Sequence, residues 1–241
     1  MKKALILLVA ALAMNVKAQE VRYGVKAGLN LADMYAAVSV DDVEEVINTK
    51  SKTSFYVGGF VEFPLSEMNE LLTGEVGLQY VGNGTKISKI DFSDIGLRDG
   101  NGNRIRDIKD LQLNFNQINM PFAVKYEVVQ GLKIKAGGYF GYLISLGGKL
   151  KYEGKTRKIG NILDKTTSIY DGYTTTEYKA SELFKRFDFG LNAGAEYNFV
   201  NGLFAEANYT FGLQSFVDDA DIDEGEKLKN RVFQIGLGYK F

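Results

Sequence analysis

From Val21 onward, apolar residues alternate with polar residues or glycine, which is the period of a β-strand rather than that of a helix. The alternation falls into segments of about 9 to 13 residues, close to the length at which a tilted strand crosses a bilayer. The predicted strands lie around residues 21–31, 55–65, 72–80, 118–126, 132–145, 187–199, 203–211 and 233–241. The pattern therefore predicts an all-β chain with an even number of strands, eight.

The predicted connections alternate between short and long. Short turns are expected at residues 66–70, 127–131 and 200–202, whereas long loops are expected at 32–53, 81–110, 148–185 and 214–230. Short turns at one rim and long loops at the other are typical of an antiparallel up-and-down transmembrane β-barrel, with the turns in the periplasm and the loops outside the cell. The segments 85–92 and 168–178 could extend the hairpins above the bilayer, which leaves a count of ten strands open.

The two faces of the predicted strands differ in chemistry. The apolar face carries several times more side chains than the dozen or so that an eight-stranded barrel encloses, which argues against a soluble lipocalin-type barrel. We therefore expect this face to contact lipid and the face rich in glycine, asparagine and charges to line a narrow lumen. Aromatic residues suit girdles at both interfaces. They are Phe63, Tyr126, Tyr197, Phe199 and Phe241 toward the short turns, and Phe55, Tyr80, Tyr142, Phe187, Phe211 and Phe233 toward the loops.

The N-terminal segment, residues 1–18, has the form of a secretory signal peptide. Lys2 and Lys3 precede the apolar run Ala4–Met14, and Val16–Ala18 provides small residues for cleavage. The run is too short for a helical span of about 20 residues, although an N-terminal anchor is the alternative. We expect a mature barrel domain over residues 19–241 in the outer membrane of a Gram-negative bacterium.

Composition excludes several classes of function. The chain has 29 basic and 30 acidic residues, which gives no electrostatic reason to expect nucleic acid. It has no histidine and no cysteine, so it offers no imidazole base, thiolate nucleophile or disulfide, and no zinc site of these ligands. We expect no enzyme and no cofactor.

Two acidic segments are candidate cation sites. Asp99 to Asn103 imitates part of a calcium loop, but Arg104 stands where glycine is needed and Asp110 replaces the final glutamate. The acidic stretch 218–226 is interpreted as a solvated loop, with divalent cations beside lipopolysaccharide as the alternative. We expect no metal.

Three predicted strands resemble those of a small outer-membrane β-barrel family, the PorT-like or porin-family proteins. Ile118–Tyr126 (INMPFAVKY) resembles its "IPLLLKY" strand, and Phe187–Tyr197 (FDFGLNAGAEY) is similar to "DFGLNLGLGYEF". Gly137–Tyr142 (GGYFGY) resembles "GPYVGYL", with Gly138 where proline is common. The resemblance implies an eight-stranded outer-membrane barrel but no single activity. It also implies that Phe241 is the terminal aromatic recognised by the outer-membrane insertion machinery.

Charged residues on the predicted lumen face nearly cancel and are expected to pair in a lumen-filling network. They are Arg22, Lys26, Glu62, Glu75, Lys125, Lys133, Lys135, Asp188, Glu196, Glu206 and Lys240. One functional hypothesis is a structural, adhesion or partner-docking protein that acts through its extracellular loops on a protein partner not identified by the sequence. The alternative is a narrow porin-like channel lined by the same charges.

The third long loop begins with a basic cluster. Its members are Lys149, Lys151, Lys155, Arg157 and Lys158. Because they follow a predicted membrane strand, they are candidates for contact with the phosphates of outer-membrane lipid, including lipopolysaccharide.

Overall fold

The computed structural model describes residues 21–40, 43–47, 50–66, 69–91, 107–152, 155–161, 163, 166–170, 175–179, 185–215 and 227–241. The predicted signal peptide, the Asp99–Asn103 segment and the acidic stretch 218–226 lie outside these residues. Within the described ranges, no helix is long and apolar enough to cross a membrane.

The described part of the chain forms antiparallel β-strands joined by turns. The strands are β1 (Arg22–Val40), β2 (Val43–Ile47), β3 (Lys50–Pro64), β4 (Leu72–Asp91), β5 (Asp107–Val129), β6 (Leu132–Tyr152), β7 (Lys155–Ile159), β8 (Thr166–Tyr170), β9 (Thr175–Lys179), β10 (Phe187–Asn198), β11 (Leu203–Gly212) and β12 (Lys227–Lys240).

Eight of these strands close into a barrel in the order β1-β3-β4-β5-β6-β10-β11-β12, and β12 pairs back with β1. Each strand pairs antiparallel with its neighbour in the barrel. Closure satisfies the backbone groups that an open sheet edge would expose to lipid, where no water is available to bind them. The predicted eight-stranded up-and-down barrel is confirmed.

The remaining strands belong to the long-loop end. β2 pairs with the last residues of β1, β7 pairs with the end of β6, and β8 and β9 form a separate hairpin. β4 and β5 stay paired as far as Asp91 and Asp107, so residues 85–91 extend a hairpin as predicted. Alternation becomes weak in these extensions because neither face contacts lipid, so the sequence pattern understates the length of the ladders.

The short-turn end is tight. Gly131, between β5 and β6, has a φ of 84°, and the turn Val200–Gly202 places Asn201 and Gly202 at φ values of 73° and 80°. Glycine has no Cβ to clash in this left-handed region, and asparagine tolerates it better than most residues. These residues allow the chain to reverse within two or three positions.

Apolar side chains point away from the barrel axis along all eight strands. Exposed examples are Leu78, Leu191, Ile235 and Leu237, and Leu237 exposes 64% of its surface. A protein in water rarely exposes such a continuous apolar surface. This band is the lipid-contacting surface that the alternation predicted.

Aromatic rings fill part of the lumen, beside its glycines and charged residues. Phe204 lies over Gly238 and Phe60 lies over Gly24, and in each case a Cβ on the glycine would overlap the ring. Both rings are buried, and they meet edge to face with centroids 5.5 Å apart. These two lumen glycines therefore provide space for aromatic side chains.

A β-bulge changes the orientation of residues near the long-loop end of β6. Gln117 pairs with Leu143 and Asn116 pairs with Ser145, so Ile144 is the extra residue. Leu143, before the bulge, keeps the lumen-facing side of Tyr139 and Gly141, whereas the bulge turns Leu146 inward, and both are buried. Ser145, which strict alternation would place on the lumen face, instead shares the face of Asn116. A bulge inverts the alternation beyond it, and one sequence does not reveal its position.

Candidate functional site

Nine charged side chains form a buried cluster inside the barrel, which we call the ion-pair network. Its members are Lys26, Glu62, Glu75, Lys125, Lys133, Lys135, Glu196, Glu206 and Lys240. None exposes more than 7% of its surface. Every one of the eight barrel strands contributes at least one member. The network therefore spans the full cross-section of the barrel lumen.

Lys125 lies at the centre of the network. Its Nζ is 2.9 Å from Glu62 Oε2 and 2.7 Å from Glu196 Oε2, and it also pairs with Glu75. The three glutamates bring carboxylate oxygens within 4.8 Å of one another, a spacing that suits a metal ion. The ammonium group of Lys125 pairs with all three carboxylates, so it supplies the positive charge that a metal ion would otherwise provide.

Toward the short turns, two further lysines complete the coordination of these carboxylates. Lys133 Nζ donates to Glu62 Oε1 at 2.9 Å. Lys240 Nζ donates to Glu62 Oε2 at 2.9 Å, to Glu196 Oε1 at 2.5 Å and to Asn198 Oδ1 at 2.8 Å. Buried charges are tolerable only when they are paired and hydrogen-bonded, and these groups meet that condition.

Toward the long loops, a second group surrounds Glu206. Lys135 Nζ lies 2.5 Å from Glu206 Oε2, Lys26 Nζ lies 3.5 Å from the same oxygen, and the Tyr56 hydroxyl donates to Oε1 at 2.6 Å. Lys26 also pairs with Glu75 at 2.7 Å. Because Glu75 also pairs with Lys125, it links this group to the centre.

Aromatic rings contribute to the environment of the lysines. Lys26 and Lys125 place Nζ 5.2 and 5.4 Å from the centroid of Phe60, and Lys240 lies 5.2 Å from that of Phe204. The network contains five lysines and four glutamates, an excess of one positive charge. A ring face attracts a cation, so these contacts offset part of that excess.

Two residues predicted for the network lie elsewhere. Arg22 is opposite Glu62 in the strand register, but it begins β1 and its side chain is exposed at the short-turn rim, beside a cavity of about 330 Å³. Asp188 is buried nearer the long loops, where it accepts hydrogen bonds from Tyr139 at 2.8 Å and Gln117 at 3.2 Å. Alternation gives the face of a residue but not its height along the barrel, which decides its partners.

A small polar cavity of about 30 Å³ lies next to the network on the long-loop side. Asn119, Asn208 and Asn230 line it, and each is buried with a side-chain atom that has no hydrogen-bond partner in the described protein. A buried water needs roughly 10–15 Å³ and two or more polar partners. The cavity therefore accommodates two or three water molecules and is too small for a larger solute.

An apolar cluster occupies the interior near the long-loop mouth. Phe115, Leu143, Leu146 and Leu163 are almost completely buried and pack together. Asn161 Oδ1 accepts hydrogen bonds from the backbone N–H groups of Leu146 at 3.1 Å and Leu163 at 3.3 Å. A segment of the third long loop is thereby held in the mouth, which no periodicity in the sequence indicated.

Phe241 lies at the short-turn rim on the lipid-facing side. It exposes 74% of its surface, its backbone N–H donates to Tyr23 O at 2.8 Å, and its ring meets Tyr239 edge to face at 5.2 Å. The side chain is accessible in the folded barrel. Its role as an insertion signal stays a prediction.

Comparison with known proteins adds a family match. The family model described as "Outer membrane protein beta-barrel domain" matches residues 17–218, well over half of the chain. No curated protein matches.

Solved structures similar to the chain include the attachment invasion locus protein Ail of Yersinia pestis in complex with the heparin analogue sucrose octasulfate. The two are 9% identical, with 92% of this chain and 99% of that chain covered and a TM-score of 0.42. Neisserial surface protein A is 11% identical, with 91% and 97% covered and a TM-score of 0.43. The outer membrane protease OmpT from Escherichia coli is 12% identical, with 94% and 98% covered and a TM-score of 0.46.

Proposed function

Because the chain belongs to the outer membrane protein β-barrel domain family, we propose that it is a non-enzymatic outer-membrane scaffold whose extracellular loops serve adhesion, partner docking or envelope integrity. The barrel supplies a rigid support in the membrane, and the loops supply the surface that a partner contacts. A narrow channel is the competing function.

The ion-pair network is the observation that carries this proposal. It draws on all eight barrel strands, and Lys125 at its centre is completely buried between three glutamates. An ion that entered the lumen would have to displace paired charges, and breaking one buried pair costs about 3–5 kcal/mol. The small volume of the neighbouring cavity points in the same direction. Both features favour a closed support over an open pore.

The residues available for chemistry support a non-enzymatic role. The chain has no histidine and no cysteine, the usual base and the most reactive nucleophile of hydrolases. Glu62, Glu75, Glu196 and Glu206 are each bound to lysine ammonium groups. A carboxylate held in this way is a weak general base, because the ammonium stabilises its charged form.

The long ladders at the loop end suit the presentation of a binding surface. β4 and β5 remain paired through Asp91 and Asp107, beyond the aromatic residues at the upper interface. β6 and β7 form a further ladder from Gly148 to Tyr152. Backbone pairing gives the loop bases a fixed position, which reduces the entropy lost when a partner binds.

Single-channel recording in planar bilayers tests the proposal. We expect the refolded wild-type protein to give no discrete conductance steps. The variant Lys125→Ala/Glu196→Ala removes a balanced pair of charges from the centre of the network, and we expect it to conduct. This variant also serves as evidence that inserted protein is detectable in the assay.

The outward-facing Lys86→Ala variant is the matched control and should remain silent like the wild type. Reproducible steps from the wild-type protein that change with Glu75→Gln would contradict the closed scaffold and favour the channel.

Crosslinking from Lys149 and Lys151 in intact cells tests the role of the loops separately. We expect the crosslinker to capture one discrete partner. Capture of the same partner when the loops are grafted onto an unrelated barrel would support docking through the loops.

A further inference from the structure

Lysines lie side by side on adjacent strands at the long-loop end of the barrel. Lys50 on β3 is opposite Lys86 on β4, and Lys86 is opposite Gln112 on β5. Gln112 is in turn opposite Lys149 on β6, which is opposite Lys158 on β7. We call Lys50, Lys86, Lys149 and Lys158 the lysine row. All four side chains are exposed.

The central part of the lysine row faces away from the barrel axis. On β4, Thr85 is buried, so the next residue, Lys86, points outward. On β5, Leu113 packs against the interior apolar cluster, which turns Gln112 outward. Lys149 pairs directly with Gln112 and shares its face. The row therefore lies on the same side of the sheet that contacts lipid lower in the barrel.

Like charges face each other at two positions of the row. Lys50 lies opposite Lys86 and Lys149 lies opposite Lys158, and such cross-strand pairs, with Cβ atoms roughly 4.5–5.5 Å apart, are destabilising. Among the carboxylates that the structure describes, none forms an ion pair with these four lysines. An anion bound across the row would relieve the repulsion.

The charges of the lysine row also affect a neighbouring lysine, Lys52. The part of β3 from Phe55 to Phe63 crosses the membrane, and Lys52 lies above it on the long-loop side. Its Nζ donates to Asn83 O at 3.3 Å. Burial, followed by the charges of Lys86 and Lys149, lowers the pKa of Lys52 below its usual range. Two members of the row, Lys86 and Lys149, therefore act on the same neighbouring ammonium group.

The height of the row indicates which anion can reach it. Lys86 follows Tyr80, at the upper aromatic interface, by six residues along β4. At about 3.3 Å per residue and a strand tilt of about 35–45°, Lys86 and the rest of the row lie roughly 14–16 Å above Tyr80 along the membrane normal. The headgroup layer of an ordinary bilayer extends only about 5–8 Å beyond the hydrocarbon. The row is thus at the level of the sugars of lipopolysaccharide.

We propose that the lysine row binds phosphate groups on the saccharide head of lipopolysaccharide in the outer leaflet. Charge complementarity, outward orientation and height select this partner. On β5, the half-buried Asn114 and Asn116 lie on the same outward face below the row, where their amides can donate to sugar hydroxyl groups. The inference goes beyond the proposed function, because it does not depend on whether the lumen is closed.

Binding to immobilised rough lipopolysaccharide tests the proposal, with the protein in nonionic detergent micelles and surface plasmon resonance as the readout. The variant Lys149→Gln/Lys158→Gln removes one like-charged pair from the row. The control Lys185→Gln/Lys229→Gln removes the same charge from lysines outside the row at the same end of the barrel. A heat-dependent shift in gel mobility shows that each variant is folded.

We expect the row variant to bind about fivefold more weakly or worse, since two exposed charge contacts are lost, and the control to bind like the wild type. Enzymatically dephosphorylated lipopolysaccharide should show the same loss with the wild-type protein, an arm that needs no variant. Equal binding to the intact and dephosphorylated lipid, or equal losses in the row and control variants, would overturn the proposal. The result is independent of the conductance measurement.

Discussion

The central lysine of the ion-pair network offers a direct test of how the lumen is stabilised. Lys125→Ala removes an ammonium group that contacts Glu62, Glu75 and Glu196 without exposure to solvent. Each glutamate keeps another lysine partner, but three carboxylates then face one another without the shared cation. Removal of one partner from a buried ion pair costs about 3–5 kcal/mol, so we expect the free energy of unfolding to fall by that amount.

The geometry predicts that a divalent cation restores part of this loss. The three glutamate oxygens lie within 4.8 Å of one another, and calcium binds oxygen at about 2.3–2.6 Å, so one ion can bridge them. Millimolar calcium should therefore stabilise Lys125→Ala. The matched variant Lys125→Met loses the same charge but keeps a long side chain in the space, and calcium should stabilise it much less.

Urea unfolding in lipid vesicles measures these differences. The chain contains no tryptophan, so far-ultraviolet circular dichroism and gel mobility are suitable probes of the barrel. A loss below about 1 kcal/mol in both variants would refute the reasoning, because it would mean that the buried pairs contribute no more than surface pairs. An equal response to calcium in Lys125→Ala and Lys125→Met would refute the cation site.

Other predictions concern the two faces of the barrel and its terminus. On the lipid face, Leu237→Arg should lower the free energy of unfolding by about 2–4 kcal/mol if the residue lies near the midplane. In the lumen, Asn192→Ala should lose only one hydrogen bond, to Gly138 O, worth about 1 kcal/mol. Equal losses of the two variants in urea unfolding would contradict the assigned faces. Gly238→Ala places a Cβ against the ring of Phe204 and the backbone oxygen of Val25, and should lower the free energy of unfolding by about 1–3 kcal/mol. Addition of Phe204→Leu should relieve the part of this loss that comes from the ring, and no relief would show that the ring contact is not a cause. Phe241→Ala should lower the amount of barrel in cellular membranes several-fold and leave refolding into micelles unchanged, and equal cellular yields would argue against an insertion signal.

The lipid-facing surface could be predicted because it depends on a local rule. Side chains alternate across a strand, and a strand that contacts lipid on one face must carry apolar residues at every second position. Leu78 and Ile235 follow this rule, and the same alternation assigned Lys125 and Glu75 to the lumen, where both are buried. The upper parts of β4 and β5 are less evident in the sequence, because above the membrane no solvent difference imposes an alternation.

The partners of the lumen residues could not be predicted in the same way. Alternation assigns Asp188 and Arg22 to the lumen face as it assigns Lys125, but strand tilt and register set the height at which each side chain enters the barrel. Asp188 reaches Tyr139 and Gln117, while Arg22 is exposed at the rim. Closure of the barrel also brings residues far apart in the sequence together, as with Lys240 and Glu62.

The sequence by itself determined the antiparallel order and the face that contacts lipid, because these follow from a period of two and from the lengths of the connections; it favoured eight strands over ten, and closure of the barrel decided the count. Only the tertiary structure decided that aromatic rings occupy the space above Gly24 and Gly238, that a bulge turns Leu146 inward, and that four lysines align across neighbouring strands. These features depend on register between strands, which is set by the whole closed ladder and not by the local order of residues.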